Sequence, residues 1–375
     1  MAENGRKRTQ TPIDLEQLRT TLEGEGATWR SGSTSMAALT EDLRVVRLGV
    51  PLPEAPEVER ILGDGMRLAQ STGGLTSAIT APAAFDSRSI GGQDYTTSVK
   101  NQGNCGSCVA FGAAATAETT HAVRSGQPNT NLDLSEAHLF YTHGPATGAS
   151  CANGWWPEHA LNAMKATGIT TEEYFPYSSG NTSGATLNAD WPNRLAKVTS
   201  HRDLKGNIAA IKEHIASYGA VTACFIVFQD FFSYRTGVYR HVSGAQAGGH
   251  CVSLVGYDDA QRCWIGKNSW GTGWGESGFF KIGYGECGID TWDVRGIDGI
   301  SLRWWNRQRK VLGVWTNESA RNGYVYLSET GWRRLCADSD ATNLAMLTEM
   351  AGAKAAGRPV DVFEDQGTVI ESYAF

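Results

Sequence analysis

Cys108 closes a short run, Gln102-Gly103-Asn104-Cys105-Gly106-Ser107-Cys108, that sets a nucleophile, a side-chain amide and two glycines in one loop. The residues that follow, Val109 to Arg124, are rich in alanine and read as a helix. Cys108 then stands at a helix N-terminus, where unpaired N–H groups and the helix dipole favour a thiolate. The thiolate is the nucleophilic form, so the loop suggests covalent catalysis, provided a base lies elsewhere. Of the eight histidines, only His250 is set in an apolar run that opens on glycines, Gly248-Gly249-His250 to Tyr257. The next apolar run, Cys263 to Gly266, leads into Lys267-Asn268-Ser269-Trp270-Gly271. Two adjacent strands would bring His250 and Asn268 side by side, with Asn268 orienting the imidazole and Trp270 keeping water off the pair. Gln102, six residues before Cys108, could combine its side-chain N–H with the Cys108 backbone N–H as an oxyanion hole. Such donors contribute roughly 3–4 kcal/mol each to the transition state.

Taken together, Val99 to Cys108, Gly249-His250 with Val255-Gly256-Tyr257, and Lys267-Asn268-Ser269-Trp270-Gly271-Thr272-Gly273-Trp274-Gly275 resemble the papain/cathepsin cysteine peptidases. In that family the His and Asn lie about 130–150 residues after the Cys, and His250 and Asn268 fall near that range. Leu134-Ser135-Glu136, the Tyr174-Phe175-Pro176-Tyr177 turn and Glu286-Cys287-Gly288-Ile289 match smaller family elements in the same order. The resemblance implies an α+β, two-lobed papain-like fold, with a helical lobe and an antiparallel β-barrel-like lobe. It implies a cysteine endopeptidase made as a zymogen, acting on a peptide or protein substrate and needing no cofactor or metal. Catalytic roles then fall to Cys108, His250, Asn268 and Gln102. Gly154, Trp155 and Trp270 are the candidate substrate-binding residues. Val109 departs from the family's Trp after the nucleophile, which predicts local repacking. Cys151-Ala152-Asn153-Gly154 departs from the family's Cys-Asn-Gly-Gly, and either Gly154 or Trp155 takes the second glycine position. Both registers predict a narrower pocket. By family position Cys105 pairs with Cys151, against the alternative of two reduced thiols, while Cys287 lacks its usual partner and is expected free. No His-His pair follows Cys151, so the family's carboxypeptidase-type loop is not visible. Two rival functions stay open: acyl transfer or peptide ligation at the same site, and peptide binding without catalysis.

Around these blocks, the chain of 375 residues is long enough for two or three units. A net charge of −6 offers no basic footprint for nucleic acid, and no run of 18 apolar residues suggests a membrane span. No secretory signal is visible, which leaves retention in the cell, a removed signal and unconventional export all open. The first twelve residues are polar and expected to be disordered. Helices are expected from Asp14 to Leu22 and from Ser35 to Leu48, ending at Pro51, Pro53 and Pro56. Residues 1–82 read as a propeptide-like segment, 83–298 as the peptidase domain and 299–375 as an appended module that could bind a partner. The peptidase segment runs from helices (Cys108–Arg124, Ser135–Tyr141, Pro157–Thr167) to strands (Ala220–Phe228, Gly249–Tyr257, Arg262–Lys267), an α+β order. Asp133, Asp258, Asp259, Asp290 and Asp293 read as solvated or capping. Cys224, Cys251 and Cys263, in apolar runs, read as core.

Overall fold

The computed structural model describes residues 13–71, 81–130, 132–365 and 367–375. The first twelve residues, read as disordered, lie outside that set, as do residues 72–80. The chain divides into two compact units. The first takes in Met1–Thr167, Glu172–Thr186 and Val198–Ile300; the second gathers Gly168–Thr171, Leu187–Lys197 and Ser301–Phe375.

At the centre of the first unit lies the helix Cys108–Ser125, buried along most of its length and stopped by Gly126 at φ +66°. Its small residues let a sheet come close. A Cβ at Gly112 would meet Cys251 Sγ at 2.9 Å, and one turn later Thr116 Oγ1 donates to Ser253 Oγ at 2.9 Å. The strand Gln246–Asp258 is thereby pressed along the nucleophile helix. That strand sits between Val221–Phe228 and Cys263–Lys267 in a nine-stranded sheet, antiparallel to both. Phe225, Phe231, Trp264, Trp270, Trp274 and Phe280 fill the core on its other side. Helices packed with a largely antiparallel sheet make this the α+β fold that the residue order predicts. The helix Ile208–Tyr218 escaped the sequence pattern; its start is capped by the Asn207 side chain accepting from Ala210 N–H at 3.0 Å.

The N-terminal segment differs more from expectation. The first helix is present, Leu15–Gly24, capped by Asp14. The second shrinks to Glu41–Val45. Thr34 explains this, because its hydroxyl donates to Phe232 O at 2.6 Å and accepts from Ala37 N–H at 2.9 Å, holding 34–37 as an anchored turn. Trp29–Ser31 forms a strand that pairs antiparallel with Tyr234–Tyr239 and extends the sheet. Pro51 and Pro53 lie in the non-helical stretch after the second helix, as expected, but Pro56 lies in the first turn of a further helix, Ala55–Ser71. There a missing N–H is one that the helix would leave unpaired anyway. Val58, Ile61 and Gly65 face inward. Gly65 and Gly285 cross so closely that a Cβ on either would meet the other's carbonyl oxygen at 2.3 or 2.1 Å.

In the second unit five strands close on themselves in the order Gly323–Leu327, Gly331–Leu335, Thr368–Ala374, Pro359–Asp365 and Ile300–Thr316, which returns to the first. The helix Asp340–Ala356, capped by Ser339, contributes Met346 and Met350 to a core with Val311, Val325, Leu335, Val360 and Val369.

Candidate active site

Cys108, fully buried, opens its helix. His250 lies on the neighbouring strand Gln246–Asp258, and Asn268 directly follows the strand Cys263–Lys267. Asn268 Oδ1 is 2.8 Å from His250 Nε2 and also accepts from Ser269 N–H at 2.8 Å. An oxygen that accepts from a backbone N–H is an acceptor for the imidazole too, so Nε2 carries the hydrogen of neutral His250. His250 Nδ1 then holds the lone pair; it is buried without a hydrogen-bond partner among the described residues. This is the tautomer that a base facing a thiol requires. Trp270 lies over the imidazole with ring centroids 4.6 Å apart, and Phe225 meets it edge-on at 5.9 Å.

Gln102 is held from two sides. Ser269 Oγ donates to its Oε1 at 2.7 Å, and Gln102 N–H donates to Ser269 O at 3.0 Å. Its Nε2 donates to Cys105 O at 2.8 Å and to Arg47 O at 3.0 Å. Ser269 was not singled out in the sequence; its place after Asn268 is the only signal for it. Cys105 and Cys151 are joined as a disulfide across 46 positions, so the resemblance's pairing is what the structure contains. Cys224, Cys251, Cys263 and Cys287 are free and buried. Val109 is fully buried behind the site.

Residues 47–50 of the N-terminal segment run across this constellation. Gly49 N–H donates to Cys108 Sγ at 3.3 Å, Trp155 N–H donates to Gly49 O at 2.8 Å, and Val50 N–H donates to Gly249 O at 3.0 Å. There is no room for a side chain at Gly49, where a Cβ would meet Gly106 O at 2.0 Å. Gly154, at φ +69°, has the same constraint, with Gly49 O 2.1 Å from where its Cβ would be. Trp155 therefore offers its backbone at the position that the sequence left open between it and Gly154. Its side chain turns away, with Nε1 donating to Thr147 Oγ1 at 2.8 Å and the ring edge-on to Phe140. The expectation that Trp155 narrows the pocket is corrected: an indole packed inward takes no space from the cleft. Trp270 is buried over His250 in this covered state, with Ser35 Oγ of the N-terminal segment donating to its carbonyl at 3.5 Å.

The electrostatics also differ from what the helix end alone predicts. Burial, with the neighbouring Cys251 thiol second, pushes Cys108 up to about 12, although hydrogen bonds from backbone N–H groups, Gly49 among them, oppose this. Burial pulls His250 down to about 4 against the help of Asn268. Thiol and imidazole are both neutral at pH 7 in this covered state, since desolvation outweighs the helix dipole. Asp290 is buried rather than solvated, accepting from Gly285 N–H at 2.7 Å, and desolvation raises it to about 6. No group of three or more His, Cys, Asp or Glu residues suited to a metal occurs among the described residues.

Residues 81–297 match the papain family cysteine protease domain. The chain is 35% identical over 236 residues to cathepsin B-like CP2 of Giardia intestinalis, covering 58% of this chain and 75% of that protein. It is 28% identical over 296 residues to cathepsin B-like cysteine proteinase 4 of Caenorhabditis elegans, covering 68% and 84%. Among solved structures, procathepsin B S9 of Trypanosoma congolense aligns with a TM-score of 0.58 at 22% identity, covering 76% of this chain and 98% of that one. Procathepsin L2 of Tenebrio molitor aligns at 0.59 and 24%, covering 76% and 88%. These structures share the papain-like fold. The family match spans more than half of the chain, which belongs to the papain family of cysteine proteases.

Proposed function

We propose that this cysteine protease is an endopeptidase whose N-terminal segment, residues 1–82, is an inhibitory propeptide. The observation that carries the reading is the backbone of 47–50 laid over Cys108. The thiol faces the N–H of Gly49, not a carbonyl carbon, and the carbonyl that meets the Gln102 amide belongs to Arg47, two residues earlier. No one peptide bond presents its carbon to sulfur and its oxygen to Gln102. The segment thus fills the cleft without being in position for cleavage.

Once the cleft is open, the Cys108 thiol passes its proton to His250 Nδ1, the thiolate sulfur attacks the substrate carbonyl carbon, and the carbonyl π electrons move onto oxygen. Gln102 Nε2–H and the Cys108 N–H stabilise that oxyanion. Protonated His250 gives its Nδ1 proton to the amine as the C–N bond breaks, leaving a thioester. Neutral His250 then takes a proton from water, whose oxygen displaces sulfur and releases the acid. Endopeptidase action is favoured by the short segment Ala152–Trp156, which carries no histidine pair to receive a substrate C-terminus. The test is to incubate the chain at acidic pH with reductant, map the new N-terminus and profile cleavage of a peptide library. Trimming near residue 82 and internal cuts are expected; sequential removal of C-terminal dipeptides would overturn the endopeptidase assignment, and a fully active untrimmed chain the propeptide.

A further inference from the structure

The loop from Gln102 to Ser107 has to hold the Gln102 amide at a set distance from Cys108, yet it has no regular structure and turns through Gly103 at φ +59°. A residue far along the chain spans it. Tyr177 Oη donates to the Gln102 carbonyl at 2.8 Å and lies 2.7 Å from Ser107 Oγ. The phenol has one hydrogen, which goes to the Gln102 carbonyl, so the Ser107 hydroxyl is the donor in the second bond. One oxygen thereby joins the residue that supplies the side-chain amide to the residue just before the nucleophile. The ring itself is clamped. Phe111, one turn into the nucleophile helix, meets it edge-on at 4.8 Å, and Tyr141 stacks on it at 5.8 Å. Tyr177 N–H donates to Glu172 Oε1 at 2.6 Å. Ser269 holds the Gln102 side chain from the opposite side, so the carbonyl is the remaining freedom, and Tyr177 removes it.

We propose that Tyr177 is a positioning residue for acyl transfer, its hydroxyl setting the geometry between the Gln102 amide and the Cys108 thiol without touching substrate. The proposal rests on the reading of Gln102 as an oxyanion donor. Misplacement by about 1 Å costs on the order of a hundredfold in rate, so a loosened loop with its ring packing intact is expected to cost about tenfold.

The experiment compares Tyr177→Phe, Ser107→Ala and Gln102→Ala with the parent, all after acid activation of the full chain. Three readouts separate positioning from damage: kcat against KM, affinity for a peptide aldehyde, and alkylation of Cys108 by iodoacetamide. The aldehyde forms a C–S bond and places its oxygen in the oxyanion site. Alkylation forms a C–S bond with iodide leaving and develops no oxyanion. For Tyr177→Phe, kcat and aldehyde affinity are expected to fall together by about tenfold, with KM within twofold and alkylation unchanged. Ser107→Ala, which leaves the Gln102 bond, is expected to give the same pattern with a smaller loss. Unchanged kcat in Tyr177→Phe alongside a large loss in Gln102→Ala overturns the proposal alone. A parallel fall in alkylation and kcat overturns it as mere structural damage. Unchanged kcat in Gln102→Ala removes the oxyanion reading, and the proposal with it.

Discussion

His250 divides its two nitrogens between two duties. Nε2–H is committed to Asn268 Oδ1, and Nδ1 is left without a hydrogen-bond partner among the described residues in a fully buried setting. Replacing His250 by Ala is therefore expected to lower kcat by about 10²–10⁴-fold, with single-turnover kinetics locating the loss in acylation. Gln102→Ala removes a donor aimed at developing charge, and a loss in kcat of about 10²–10³-fold is expected from steady-state assays on a small peptide substrate. These two residues were legible in the sequence because their neighbours carry the family's pattern. Ser269 and Tyr177 were not legible as site residues. Each acts through a hydrogen bond to Gln102 whose partner is more than seventy positions away, a relation that local pattern does not encode.

Among the elements, the contact that assembles the site is between the helix Cys108–Ser125 and the strand Gln246–Asp258. Gly112 makes it close, with Cys251 Sγ 2.9 Å and Val252 O 3.2 Å from its absent Cβ. Because the second of these is backbone, Gly112→Val has to push helix and strand apart. A loss of activity of about a hundredfold or more is expected, measured as kcat/KM on the activated enzyme. The helix Ala55–Ser71 presents the equivalent contact on the N-terminal segment. Gly65 crosses Gly285, and Thr291 Oγ1 donates to Ile61 O at 3.0 Å. Gly65→Leu is expected to lift this helix and speed labelling of Cys108 by a thiol-directed epoxide in the untrimmed chain; labelling at the parent rate would show that the cleft passage holds without it. The helix was hidden in the sequence because three prolines read as breakers, and only its docking shows that Pro56 occupies a first turn.

For the whole molecule, pH acts through the covered site. His250 titrates near 4 when buried and near 6.5 when solvated. A folded value below the unfolded one means stability that is present above 6.5 and lost as pH falls through 4. Desolvation is the dominant cause, so any state that wets the imidazole is favoured by acid, by on the order of 3 kcal/mol over the full interval. His214, pulled down to about 4 by burial against Ile297 O, adds to the same trend. Epoxide labelling of the untrimmed chain is expected to accelerate between pH 6.5 and 4; a flat profile would remove His250 desolvation as the trigger. The Cys105–Cys151 bridge acts in the other direction, on the unfolded chain. Closing 46 positions gives about 4 kcal/mol by the chain-entropy relation, so a double Cys105→Ala, Cys151→Ala variant is expected to lose that much in denaturant titration.

Family membership was legible in the sequence, because Cys108, His250, Asn268 and Gln102 sit in short blocks whose residue types and order carry the papain-family pattern. The sequence also determined the α+β order and the main elements around those blocks, because helix and strand periodicity are local properties. The remaining features depend on contacts between residues far apart in the chain. The N-terminal segment contains a strand because Tyr234–Tyr239 offers it an edge, and Trp155 turns inward because Thr147 and Phe140 receive it. Burial pushes the Cys108 thiol up against the opposing hydrogen bond from Gly49 N–H, although a helix end in solvent would favour the thiolate. Burial is a property of the assembled chain, and here it outweighs the local field of the helix.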